Sequence, residues 1–228
     1  MAGKVVVDLI CFALHHLNML QAIVDYWRKL KGSVHPDDAT TFGRFGEHGF
    51  NLDFPPPAYI GDILNAPIII LDNNGGFDMR TTPTEFPDAL AHEEFREALA
   101  FPQRLDLSAR TVAPYYRSRN YTRFLMSGAA ALVNGVAYRS VNGDAKRVKE
   151  LTRILPSAKF HRNWLIQSVL PLVNRGERFL VIHRWGRWAP ATDVFRAHPN
   201  AIFSTAQISK DLSRQELAAA EAFLQQLK

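Results

Sequence analysis

Ala66–Asp78 reads APIIILDNNGGFD. Ile68, Ile69, Ile70 and Leu71 form a short apolar, largely β-branched run, with Pro67 before it and two glycines after it. Such a run, bounded by turn residues, predicts a strand buried on both faces, the kind found in parallel sheets covered by helices. Ligands bind at the carboxyl ends of these strands. Here that end carries Asp72, Asn73, Asn74, Gly75 and Gly76. Adjacent glycines let backbone N–H groups approach a ligand closely. The same residues also suit a plain polar turn.

Working outward, three more strands are expected. Ala130–Ala137 delivers Tyr138, Arg139 and Ser140. Arg178–His183 runs into Arg184, Trp185, Gly186, Arg187 and Trp188, and Asn200–Ser204 into Thr205–Lys210. Helical spacing is read over Val5–Leu30, Glu93–Ala100 and Phe160–Val173, the last after Leu155-Pro156-Ser157. A final helix starts at Ser213, with Glu216 completing a capping box. The stretch from His35 to Phe54 reads as irregular and glycine-rich, with His35 and His48 as exposed loop histidines. Pro55-Pro56-Pro57 is extended. The expected fold is a three-layer αβα arrangement on a four-stranded, mainly parallel sheet. One domain is expected over residues 1–228, with 1–58 as an N-terminal helical arm and irregular loop. All four polar strand ends would then gather along one edge.

Composition narrows the class. The chain has 228 residues, 47% hydrophobic and 21% charged, which suits one α/β domain. Cys11 is the only cysteine, which excludes a disulfide framework or cysteine-rich zinc site within one chain. A reducing cytoplasm is the expected compartment. The apolar N-terminal run is broken by Asp8, His15, His16 and Asn18, so it is read neither as a signal peptide nor as a membrane span. The net charge of +5 is a mild push toward polyanions. Lys146, Arg147, Lys149, Arg153, Lys159 and Arg162 crowd one segment and are candidate phosphate contacts. Arg117, Arg119 and Arg123, interleaved with Tyr115, Tyr116 and Tyr121, suit either base stacking or a helix with half-buried tyrosines.

From Tyr59 to Leu224 the chain resembles the uracil-DNA glycosylase superfamily. The resemblance rests on short elements in order: Asn74-Gly75-Gly76-Phe77-Asp78, Ala137-Tyr138-Arg139-Ser140, Leu155-Pro156-Ser157, Arg175-Gly176-Glu177-Arg178, and Arg184 with Trp188. It implies a DNA partner, removal of a damaged or modified base, and a role in repair or in antiphage defence. It places Asn74 where the attacking water is positioned and Asn73 where related families carry Gln or Glu. Asp72 is an additional acid. The last loop departs from the pattern: Ser204–Lys210 has no histidine or proline, and Gln207 is its nearest polar substitute. No cofactor, metal or membrane is expected, and the protein is read as a monomer.

Breaking an N-glycosidic bond leaves a cationic sugar and a departing base. A carboxylate or oriented water serves the first, and hydrogen-bond donors the second. Candidate acids are Asp72 and Asp78, with Asn73, Asn74 and Gln207 as polar readers. His183, Arg184 and Arg187 are candidate donors, and Phe77, Tyr138 and Trp185 candidate platforms. Gly75, Gly76, Arg139 and Ser140 complete the expected substrate site. His183 on a strand also suits a packed core histidine. Two other functions fit the same residues: a non-catalytic nucleic-acid or nucleotide-binding module, and a nucleoside hydrolase.

Overall fold

The computed structural model describes residues 19–205 and 209–227. Helix α1 covers 19–27, and α2 is Pro36–Arg44. Two short strands follow, β1 (Phe50–Asn51) and β2 (Tyr59–Ile60), then the long β3 (Ile68–Gly76). Helices α3 (Thr82–Glu85), α4 (Ala89–Ala100), α5 (Pro114–Arg117) and α6 (Thr122–Ser127) lead to β4 (Ala130–Ser140). Next come α7 (Lys146–Ile154), α8 (Pro156–Trp164), α9 (Leu170–Asn174), β5 (Phe179–Ile182), β6 (Ala201–Phe203) and α10 (Arg214–Gln226).

The four expected strands lie side by side in the order β4-β3-β5-β6, all parallel. Residues 68–71 of β3 pair with 179–182 of β5, from Ile68↔Phe179 to Leu71↔Ile182. Two strands were not expected: β1 and β2 both pair antiparallel with the outer edge of β4. They leave β4 internal, and every residue from 130 to 140 is buried.

Successive side chains of a strand point to opposite faces, and β3 fills a core on each. Ile69 and Leu71 pack with Leu20, Ile23, Val24 and Trp27 of α1 and with Trp164 of α8. Ile68 and Ile70 pack with Phe124 and Leu125 of α6 and Phe223 of α10. Burying each such side chain contributes roughly 1.5–3 kcal/mol. A third cluster joins Val136 and Tyr138 of β4 to Phe42 of α2 and Val148 and Leu151 of α7. The described part of the N-terminal helix is thus built into the main core. Leu9, Phe12 and Leu17 lie outside the described residues.

Several sequence readings need correction. The stretch expected to be irregular contains α2. His35 caps it, accepting from Asp37 N through Nδ1 (3.2 Å) while Nε2 donates to Tyr26 O (3.0 Å). His35 is buried and stacked on Tyr26, not an exposed loop histidine. The helix expected over 160–173 is continuous in path but contains a π-helical turn at Leu165–Val169, where Leu170 N reaches back to Leu165 O. Pro171 follows directly and has no N–H to continue the regular ladder. Ser157 does not cap α8 with its hydroxyl; Pro156 opens that helix, and Ser157 N donates to Asp38 Oδ1 (3.0 Å).

Candidate functional site

The topology itself opens a crevice. The chain leaves β3 toward β4 on one side and leaves β5 toward β6 on the other. Adjacent strands with diverging connections form the switch point where α/β sheets bind ligands. The crevice deepens because β3 outruns β5. The polar residues read as a turn continue the strand along β4, pairing Asp72↔Asn134, Asn74↔Val136 and Gly76↔Ser140, with an irregularity between 74 and 76. Meanwhile β5 ends at Ile182, and Leu71 O accepts from both His183 N and Arg184 N at 3.1 Å.

Two glycines make this shape possible. A Cβ on Gly75 would stand 2.6 Å from Pro57 Cγ, so the extended prolines can lie against β3 only with glycine there. A Cβ on Gly143 would stand 2.5 Å from Asn74 Oδ1 and 3.0 Å from Asn73 Nδ2. Glycine at 143 therefore leaves room for both amides. Gly76, by contrast, is exposed and open.

A cleft of about 410 Å³ lies over this end of β3. Asp72, Asn73, Asn74, Gly76, Phe77 and Asp78 line it from the strand and the turn beyond. Asp72 is buried; its Oδ1 accepts from Asn73 N at 2.7 Å and lies 3.4 Å from Arg184 Nε. Asp72 O accepts from the buried Trp188 indole at 2.8 Å, which fixes the backbone there. Asn74 Nδ2 donates to Ser140 Oγ (2.8 Å) and Gly75 O (2.9 Å). Both amide hydrogens are thereby engaged, and among the described residues no donor reaches Asn74 Oδ1. An acceptor held this way can orient a water or receive an N–H from a base.

Opposite, the cleft is walled by Tyr115, Tyr116, Glu85 and Arg139. Burial, reinforced by the charge of Asp72, pushes the Tyr115 phenol up to about 12. Burial likewise raises Tyr116. Both hydroxyls therefore stay protonated at neutral pH. Arg139 and Glu85 form a buried ion pair at 3.2 Å. Burial raises the Glu85 carboxyl and lowers Arg139, and each partner's charge opposes the shift of the other. Arg139 also lies 5.2 Å over the Phe86 ring and donates to Gly76 O and Pro55 O, both at 3.3 Å. Its charge is thus committed to the wall.

The remaining expected site residues divide. Phe77 lines the cleft, backed by Phe54 at 6.1 Å. Asp78 is an exposed turn residue whose carboxylate, held low mainly by backbone donation from Thr81 and then Arg80, closes the turn before α3. Ser140 and Arg184 line the cleft. Tyr138, expected as a platform, is fully buried in the third core cluster, donating to Asp38 Oδ2 (2.6 Å) and accepting from His35 N (3.0 Å). The strand alternation turns it away while Arg139 faces the cleft. Trp185 packs on the main core under Arg196, 5.8 Å from its ring. Gln207 lies outside the described residues.

His183 is a core residue, as the packing alternative had it. Its Nδ1 lies 3.0 Å from Glu216 Oε1 and its Nε2 3.0 Å from Ser209 O. Burial lowers its pKa, but the Glu216 hydrogen bond and the charges of Asp72 and Glu216 outweigh that and hold it above the ordinary value. The pair fastens α10 to β5, and the same glutamate closes the capping box with Ser213. The sequence reading missed Glu85 and Asp144 as cleft residues; Lys210, which also lines the cleft, belongs to the polar end expected after the fourth strand.

The basic segment is split by helical periodicity. On α7, Val148, Leu151 and Thr152 are buried. Lys149 and Arg153, with Arg162 of α8, line a second hollow beside the cleft. Arg147 turns elsewhere, pairing with Glu150 at 3.0 Å and lying over Phe45. Lys146 and Lys159 are exposed and line neither hollow. Arg117 donates to three backbone carbonyls, Arg119 pairs with Asp211, and Arg123 pairs with Glu221. The stretch is two short helices, not one, with Tyr116 and Tyr121 buried and the three arginines bonded within it or to the α10 side.

Among the described residues no cluster of three or more His, Cys, Asp or Glu side chains could hold a metal ion, and no helix is long and apolar enough to cross a membrane. Comparison of the chain with protein-family models, curated proteins and solved structures finds no match.

Proposed function

We propose that the protein is a DNA glycosylase that hydrolyses the N-glycosidic bond of a damaged or modified base, in repair or in antiphage defence. The observation that carries this reading is the pairing of a buried carboxylate, Asp72, with an open amide oxygen, Asn74 Oδ1, on one strand end facing the cleft. The resemblance of the motifs along the chain to the uracil-DNA glycosylase superfamily supports it. In this reading a base leaves the stack, at a cost of a few kcal/mol in duplex DNA, and enters between Phe77 and Tyr115. Asp72 stabilises the cationic sugar, Asn74 Oδ1 orients the attacking water, and Arg184 and Lys210 face the leaving base. Cytoplasmic action as a monomer belongs to the same proposal.

The test is incubation with DNAs that each carry one modified base, followed by alkaline cleavage of abasic sites. Strand breaks at one modification, lost in Asp72→Asn, are the expected result. Tight binding with no breaks on any DNA would sink the enzyme and leave a nucleic-acid-binding module. That second reading is favoured by one contact, since Arg184 already partly neutralises Asp72. Release of base from free nucleosides, without affinity for DNA, would select a small-molecule hydrolase instead.

A further inference from the structure

The second hollow, of about 760 Å³, lies between α7, α8 and the turn after β5. Five cationic side chains line it among the described residues, Lys149, Arg153, Arg162, Arg184 and Arg187, against one carboxylate, Asp144. Asp144 is already paired with Lys149 at 3.1 Å. Arg184 faces Asp72. The other three arginines form no ion pair with any described carboxylate. Arg162 reaches only the carbonyls of Thr152, Arg153 and Arg187, at 3.3–3.5 Å, a contact that suits a cation beside the last turn of α7.

Arg187 has no such explanation. It is 8% exposed, and one NH₂ group donates to Gly143 O. Its Nε is buried with no acceptor among the described residues. A Cβ on Gly135 would stand 2.7 Å from Arg187 Cβ, so β4 presses the base of the side chain and holds it in place. Burial lowers both Arg187 and Arg162. The one carboxylate whose charge reaches Arg187 is Asp144, and its ion pair is already made with Lys149. A buried cation so weakly compensated is costly to keep charged, and an oxyanion in the hollow would supply the missing acceptors.

We infer that this hollow binds a phosphate group, with Arg187 at its base and Arg162 and Arg153 on its walls. Guanidinium forks match a phosphate bidentately, and several converging on one space favour a multiply charged oxyanion over a single carboxylate. The hollow and the cleft share Asn73, Asp144 and Arg184. One ligand can therefore span both, with a base in the cleft and its phosphate among the arginines. The carrier of the phosphate, though not the anion site, rests on the nucleotide reading of the cleft.

Titration calorimetry on the full chain at constant ionic strength tests it. The probes are inorganic phosphate, a nucleoside monophosphate, the corresponding nucleoside and a short oligonucleotide. Phosphate-bearing probes should bind, and Arg187→Gln and Arg162→Gln should each weaken them about ten- to a hundredfold. The nucleoside should be indifferent to both substitutions. Circular dichroism checks that Arg187→Gln folds; if it does not, the half-exposed Arg162 and exposed Arg153, each changed to Gln, carry the test. Unchanged affinity in the folded variants, or no binding of any phosphate-bearing probe, overturns the site. Loss confined to the oligonucleotide identifies a phosphodiester of a polymer as the ligand, and loss for the mononucleotide identifies a free nucleotide. Variant-sensitive binding with no base release from any DNA keeps this site and removes the glycosylase; base release with variant-insensitive binding does the reverse.

Discussion

The cleft and the hollow beside it share three residues but handle charge in opposite ways. In the cleft every ionised group near the sheet has a partner: Asp72 with Arg184 at 3.4 Å, and Glu85 with Arg139 at 3.2 Å. In the hollow Arg153, Arg162 and Arg187 have no carboxylate partner among the described residues. Paired charges are fixed before a ligand arrives, which is what preorganised electrostatics requires. Unpaired cations are instead completed by the ligand. The contrast assigns positioning and chemistry to the cleft and anchoring to the hollow.

The largest expected effect breaks the cleft's pairing. Glu85→Ala leaves the Arg139 charge buried and alone, and should cost about 3–5 kcal/mol of stability, read as a fall in the urea midpoint. A change under about 1 kcal/mol would mean that Gly76 O, Pro55 O and the Phe86 ring suffice for Arg139. Next comes the catalytic contrast. Asp72→Asn and Asn74→Ala should each lower the rate of base release about a hundred- to a thousandfold, equivalent to about 2.7–4 kcal/mol, with DNA affinity nearly kept. Full activity in both variants would take β3 out of the chemistry.

A third prediction concerns the support beneath the cleft. His161 accepts from the Trp27 indole (2.8 Å) and donates to Asn134 O (2.7 Å), and Asn134 pairs across from Asp72. Burial pushes this histidine down to about 4 from 6.5, so it is neutral in the folded protein. Unfolded chains take up its proton first. The stability it contributes is complete above about 6.5 and is lost as pH falls toward about 4. The loss should reach a few kcal/mol at most, seen as a midpoint that falls more steeply with acid in the natural chain than in His161→Gln. Parallel pH profiles would contradict it. The smallest effect is on salt dependence. Lys149→Glu with Arg153→Glu should lower the salt slope of duplex binding by about 0.9 for each phosphate no longer neutralised, while Lys146→Glu with Arg147→Glu should leave it nearly unchanged. Equal effects of the two pairs would return the whole segment to a uniform basic surface.

Ile68–Leu71 was legible because a short β-branched run between turn signals has few alternatives, and both of its faces are indeed core. Ser213 and Glu216 were legible because a capping box is local chemistry. The helix at 36–44 was missed because its cap is a histidine and its first residue a proline, so the usual cap residues were absent. Tyr138 was misplaced because the strand was expected to end at Ala137; continued through Ser140, its alternation turns Tyr138 into the core and Arg139 toward the cleft.

The sequence by itself determined the four parallel strands, the polar character of their ends and the position of Asp72, since hydrophobic periodicity and turn chemistry are written locally. Only the tertiary structure decided which polar groups meet. Arg184 reaches Asp72, Glu85 finds Arg139, and Arg187 is buried with no ion-pair partner among the described residues. Each depends on strand order and on glycines that admit Pro57 and the Asn73 and Asn74 amides. Pairing between residues far apart in the chain leaves no periodic trace, because the energy that selects it exists only once the sheet has brought them together.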